Sequence, residues 1–393
     1  MIDPLIIEVI RQDAELKMGV YNRSERNLPL SSYNVREISV AEITKLSNEI
    51  VELLNQANRP GILEDDLLIE LKKTGGFLYA ALLTDEVKDR LYQDQSSHLI
   101  LFIDETLIQI PWELLFDGDN FLCLKYALGR MVRTIQKPRT FNRSLTQTSR
   151  QRMLILADTT GDLKQAYKEG RRIRDEMGTK LRVNLLIDID LHSVKKEIHE
   201  YDIVHFAGHA DYDGSNPSAS GWLFKKERLS ARNIIQLGSS NPLPTLIFSN
   251  ACESAKTGEW KIGPKFEDKI YGLANAFLLA GAKYYIGTFW KVADEASSVF
   301  ALEFYKRLAS GISIGEAVKL SREALRKRFG ARSVVWTSYL LYGDPSSTFF
   351  GNPAEAVIKT EGFWISRSTQ YITAVALFLM AILFAILFWG KGF

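Results

Sequence analysis

Two short apolar runs each end on a residue able to do chemistry. "YDIVHFAGHADYDG" (201–214) places His209 just past one run, and "TLIFSNACESA" (245–255) places Cys252 just past the other, behind Ser249 and Asn250. Each run is too brief for a helix and is bounded by turn residues, the pattern of a buried strand. In an open parallel sheet, ligands and catalysts gather outside the carboxyl ends of the strands. If these two strands are neighbours, an imidazole and a thiol meet on one sheet edge, the minimum equipment of a cysteine nucleophile and its base. His205 and His209 stand four apart, but this is a strand and not the helix of an H-E-x-x-H metal pair, and no third ligand is evident. No metal is expected, and His205 reads as a core histidine. His98, His192 and His199 carry no signal.

The elements around these strands alternate in type. "MLILAD" (153–158), "VNLLIDID" (183–190), "DIVHFAG" (202–208), "TLIFSN" (245–250) and "AKYYIGTFW" (282–290) read as strands. Helical spacing fills 163–178, which stops at Gly178, then 191–200, 270–281, 293–311 and 313–330. Such alternation predicts an α/β fold, a mostly parallel sheet sandwiched between helices. Further upstream, 97–133 reads as strands and turns around "FDGDN", and 39–57 as an amphipathic helix with Ser39 as N-cap and Glu42 completing a capping box. The first 35 residues suggest strands. The polar stretch 137–152 suggests a linker or subdomain boundary. No P-loop is present, nor a G-x-G-x-x-G after the first strand, so a nucleotide-binding module is excluded.

Bulk properties narrow the partners. The chain has 393 residues, is 46% hydrophobic and 24% charged, and carries a net charge of +2. No basic stripe interleaved with aromatics is visible, so nucleic acid is not an expected partner. Two cysteines, Cys123 and Cys252, cannot make a disulfide framework, and a reducing compartment is expected. Cys123, in the strand-like "NFLCLKYALG", reads as an inert core residue.

The amino terminus lacks the basic and apolar regions of a signal peptide. At the other end, "YITAVALFLMAILFAILFW" (371–389) contains no charge, Pro, Gly, Asn or Gln. Its length of about 28 Å as a helix matches the roughly 30 Å hydrocarbon layer of a bilayer. Tyr371 and Trp389 stand where interfacial aromatics lie, with Arg367 before the span and Lys391 after it. The reading is a transmembrane helix followed only by "GKGF", a tail anchor with the rest of the chain in the cytoplasm. The expected organisation is an accessory region (1–96), a catalytic domain (97–350), a juxtamembrane linker (351–370) and the membrane helix (371–389).

Several motifs in order, "HFAGHA", "FSNACESA", "GLANAFLLAGAKYYIGTFWKVAD", "FYKRLASGISIGEAV" and "LLYGDP", with "LIQIPWELLFD" upstream, resemble the CHAT peptidases, relatives of caspases and separases. The resemblance covers roughly 97–345 and is strongest over 202–294. It implies a caspase-like α/β fold and a His209/Cys252 dyad that hydrolyses peptide bonds without a cofactor. Their separation of 43 positions compares with about 50 in the caspase signature. It also implies an oxyanion hole from the backbone amides of Ala210 and Cys252. The clan usually has His-Gly where this chain has His209-Ala210; a position needing positive φ would strain alanine. That departure motivates a second reading, a catalytically silent CHAT pseudoprotease acting as a membrane-tethered scaffold or regulator.

The resemblance assigns the segment after the fifth strand, with Trp290, Lys291 and Asp294, to substrate contacts. Packing for Trp290 and capping of the next helix by Asp294 are the alternatives. Asp211 would select a basic substrate residue by charge pairing, or else stabilise the turn "DYDG". The four lysines of 256–269, directly after Cys252, suggest a self-cleavage or activation loop. Expected partners are a protein substrate, the bilayer through 371–389 and an activating protein, in a signalling or defence response.

Overall fold

The computed structural model describes residues 3–27, 33–57, 64–134, 138–139, 150–211, 217–252, 266–288 and 294–350. The strands are β1 (Leu5–Gln12), β2 (Glu15–Asn22), β3 (Asn34–Glu37), β4 (His98–Asp104), β5 (Ala127–Arg133), β6 (Arg152–Ala157), β7 (Arg182–Ile187), β8 (Ile203–Asp211), β9 (Gly221–Leu223), β10 (Arg228–Ser230), β11 (Leu246–Cys252), β12 (Tyr284–Thr288) and β13 (Tyr339–Tyr342). The helices are α1 (Val40–Gln56), α2 (Glu64–Leu82), α3 (Asp85–Gln93), α4 (Leu122–Lys125), α5 (Lys164–Met177), α6 (Leu191–Glu197), α7 (Ala231–Ser240), α8 (Phe266–Leu279), α9 (Asp294–Leu308) and α10 (Ile314–Phe329).

One sheet collects all of these strands. Its main path runs β10-β9-β8-β11-β12-β13-β5-β4-β1-β2-β3, and β6 lies against the amino-terminal half of β8 with β7 beyond it. The pairs β7–β6, β6–β8, β8–β11 and β11–β12 are parallel, as are β13–β5, β5–β4 and β4–β1. β13 is antiparallel to β12, and the edges β2–β3 and β9–β10 are antiparallel. The alternation of strands and helices dictated this mostly parallel centre, and the mainly apolar, buried character of β6, β8 and β11 follows from helices covering both faces.

Neighbouring side chains on β8 show which helix covers which face. His205 turns toward α5 and α9, meeting Glu169 and Tyr305. Phe206, one residue on and therefore on the opposite face, stacks on Trp222, which in turn meets Phe277 of α8. On the first face α5 lies very close to the strands. A Cβ on Gly170 would come within 2.8 Å of the Ala157 Cβ, so only glycine admits this approach.

The first 96 residues share this sheet: β1 pairs in parallel with β4, and β2 and β3 extend the sheet outward. α2 and α3 were not anticipated. The Ser39 hydroxyl accepts from the Glu42 N–H and starts α1 as expected. The "IPWELLF" segment is held by a buried ion pair. Arg130 of β5 donates to both oxygens of Glu113 and to the carbonyls of Ile108 (2.7 Å) and Ile110 (3.1 Å). Cys123 is fully buried, as expected, but in the single turn of α4 and not in a strand. Burial pushes its thiol up to about 11.

Among the described residues no helix is long and apolar enough to cross a membrane. The proposed span 371–389 and the linker 351–370 lie outside the described residues.

Candidate active site

β8 and β11 are adjacent and parallel, and their register sets Cys252 opposite His209. Neighbouring strands lie about 4.8 Å apart, so these two backbones stand side by side at the carboxyl end of the sheet. The neighbouring pairs Ala251↔Gly208 and Asn250↔Ala207 keep that alignment continuous.

The His209 side chain is 13% exposed, partly sheltered yet reachable from solvent. Its Nε2 lies 3.1 Å from Oδ1 of Asp162, in the loop between β6 and α5. A carboxylate on Nε2–H fixes the ring orientation and leaves Nδ1, the lone pair suited to take a proton, without a partner among the described residues. Asp162 escaped the sequence reading. Its one signal was position: it follows the strand that pairs with β8 on the side away from β11.

Ala210 is buried and extended, paired with Trp222 of β9. Asp13, Asp158 and Asp188 are the non-glycine residues with positive φ among the described residues. Alanine therefore fits after His209 without left-handed strain. Asp211 is half-exposed and held by the Arg228 guanidinium, which also donates to the Ala219 carbonyl (2.9 Å). A basic substrate group would have to compete with Arg228 for that carboxylate. Beside the pair, Ser218, Ala219, Arg228, Ser230 and Arg232 line a hollow of about 340 Å³.

Asp294 is the exposed first residue of α9, its carbonyl accepting from the Ser297 hydroxyl (2.9 Å). Its carboxylate complements the positive end of that helix. Trp290 and Lys291, and the 256–265 part of the suspected activation loop, lie outside the described residues. His205 is fully buried with both ring nitrogens bonded, the core histidine the sequence implied. Among the described residues no cluster of three or more His, Cys, Asp or Glu side chains is placed to hold a metal.

Comparison with known proteins gives the family and the fold. The CHAT domain family matches residues 72–344, more than half of the chain. The chain belongs to the CHAT domain family. The CHAT match begins within α2, upstream of the motifs from which the resemblance was read. Among solved structures, separase in the Saccharomyces cerevisiae separase–securin complex superimposes with a TM-score of 0.54 at 14% identity, covering 88% of this chain and 30% of that one. A second structure of the same complex gives 0.53. The Arg-specific cysteine proteinase gingipain R aligns at 13% identity with a TM-score of 0.46, covering 70% of this chain and 73% of its own. No match is found among the curated proteins. The CHAT chain thus spans about a third of the separase it overlays and shares its fold: a caspase-like α/β sheet flanked by helices.

Proposed function

We propose that this CHAT protein is a membrane-anchored cysteine endopeptidase. The observation that carries the reading is the Cys252↔His209 register at the carboxyl edge of β8 and β11. In the proposed reaction His209 Nδ1 takes the Cys252 thiol proton while Nε2–H stays on Asp162. The thiolate adds to a peptide carbonyl, and the oxyanion rests on the backbone amides of Ala210 and Cys252, donors typically worth about 3–4 kcal/mol of barrier. Collapse expels the amine, which receives the proton from His209. Water then adds to the thioester, with His209 again as base, and releases the acid and the free thiol. Asp162 turns the ring and stabilises the imidazolium formed at each step.

The apolar segment 371–389 would hold the catalytic domain against a bilayer from the cytoplasmic side, restricting it to membrane-proximal protein substrates. Separase is recorded with securin; a protein regulator of this chain is the corresponding proposal, in a signalling or defence response. Trp290, Lys291, Asp294 and Asp211 are proposed to contact the substrate. The scaffold reading rested on alanine after the histidine, and the extended backbone of Ala210 gives it no support.

The test is cleavage of a diverse peptide library by the detergent-solubilised full chain. Cleavage lost in both Cys252→Ala and His209→Ala is expected. Cleavage unchanged in either variant overturns the dyad.

A further inference from the structure

Beneath the Cys252/His209 edge, a single carboxylate ties together the strands that carry those two residues. Glu169 of α5 is 4% exposed. Its Oε1 accepts from Nε2–H of His205 on β8 (2.9 Å) and from the side-chain amide of Asn250 on β11 (2.8 Å). The Ser297 hydroxyl of α9 lies 3.4 Å from Oε2 and 2.9 Å from the Asp294 carbonyl, sharing one hydrogen between them. Asn250 is fixed at its other end, where Oδ1 accepts from the Tyr339 hydroxyl of β13 (3.1 Å). His205 is likewise fixed: its Nδ1 accepts from the Tyr305 hydroxyl (3.1 Å). The Glu169 carboxylate, which can only accept, requires the His205 proton on Nε2.

A buried carboxylate is a costly way to hold a core together, since apolar side chains of similar volume often serve as well or better. What it adds is position. His205 stands four residues before His209, and Asn250 two residues before Cys252. One oxygen receiving both side chains specifies how β8 lies along β11. A slip of one residue would turn every side chain of a strand to the other face and would separate the nucleophile from its base. Ser297 carries the same tie to the start of α9, whose Asp294 borders the segment proposed to meet substrate.

We propose that Glu169 is the positioning residue of the site, clamping β8 to β11 through His205 and Asn250 so that Cys252 and His209 meet. This rests on the protease reading above, but its first readout does not require a known substrate. The chain has two cysteines, and Cys123 is fully buried with its thiol raised to about 11. Alkylation of the folded full chain by iodoacetamide at neutral pH therefore reads Cys252.

In the wild type the alkylation rate should rise with a midpoint below the 8.5 or so of a free cysteine. Glu169→Gln should move that midpoint toward 8.5 and slow peptide cleavage at least tenfold in kcat with KM within about twofold. Asn250→Ala removes the β11 tie alone and should move it the same way, which keeps the test decisive if Glu169→Gln fails to fold. Tyr305→Phe leaves both strand ties in place and should cost stability without moving the midpoint. Variants that lose stability but keep the wild-type alkylation profile and kcat overturn the positioning role and leave the protease reading standing. A wild-type midpoint at 8.5, with cleavage no faster than in Cys252→Ala, overturns both.

Discussion

Cys252 and His209 occupy one register position of two adjacent parallel strands, β11 and β8. The chain supplies them from segments 43 residues apart, and α7 lies in the connection between. Parallel pairing requires such a long crossover, and it delivers both strand ends to the same sheet edge. The proposed chemistry follows from that topology.

Asp162 holds the ring that would do the base work. Asp162→Asn keeps the size of the side chain but weakens its hold on Nε2–H and its support of the imidazolium. Because Asp162 is nearly half exposed, water replaces part of the loss. Cleavage should fall about tenfold, equivalent to about 1.4 kcal/mol of barrier, with the melting temperature little changed. Steady-state kinetics beside a thermal melt checks both.

The Arg130–Glu113 pair carries stability, not chemistry. Both side chains are buried, and Arg130 also serves two carbonyls of the Ile108–Ile110 turn. Glu113→Ala strands a buried guanidinium, a change that typically costs about 3–5 kcal/mol. Urea denaturation should show a lower midpoint of that order at an unchanged slope.

Much of this was legible in the sequence, for identifiable reasons. β6, β8 and β11 each carry a short apolar run, and the segments after β12 carry helical spacing, so their types and order could be read directly. His209 and Cys252 showed because each terminates such a run. Asp162 did not, because a loop acid has no periodicity and its partner lies 47 residues away. Glu169 was hidden differently: within "LKQAYKEGRRIRDEM" it looks like one of many solvated charges, and only the adjacent Gly170 marks where α5 closes onto the sheet. Cys123 was read as a strand residue because "FLCL" is apolar in both periods, and four residues are too few to choose between them.

The hairpin next to the site has no room at Gly221. This residue pairs with Asp211 on one side and Ser230 on the other. A Cβ there would sit 2.2 Å from the Leu229 carbonyl oxygen. Gly221→Ala should push β10 away and cost about 1–3 kcal/mol, the usual range for overpacking. Chemical denaturation measures the loss, and a parallel drop in cleavage would show that the hairpin supports the His209 strand end.

Stability should also fall in mild acid, with His98 as one source. Burial lowers its pKa in the folded state, against smaller opposing effects of Glu316 and Asp344. Its Nε2 meets the hydroxyl of Ser313, the N-cap of α10, at 2.7 Å. With the folded value below the unfolded one of about 6.5, the unfolded chain binds the proton more readily. The His98 contribution is therefore complete above about pH 6.5 and is lost as the pH falls through the folded value. Unfolding free energies from pH 7.5 to 5 should decline, and His98→Asn should flatten that decline while lowering the plateau.

The central claim is that Cys252 is a nucleophile made reactive by His209. Its most direct test is the intact mass of the full chain after exposure to a mixture of peptidyl vinyl sulfones, followed by peptide mapping. A single adduct on Cys252, formed at least a hundredfold faster than in His209→Ala, the scale of general-base assistance, is the predicted result. Labelling of Cys252 at the same rate with or without His209 would contradict it.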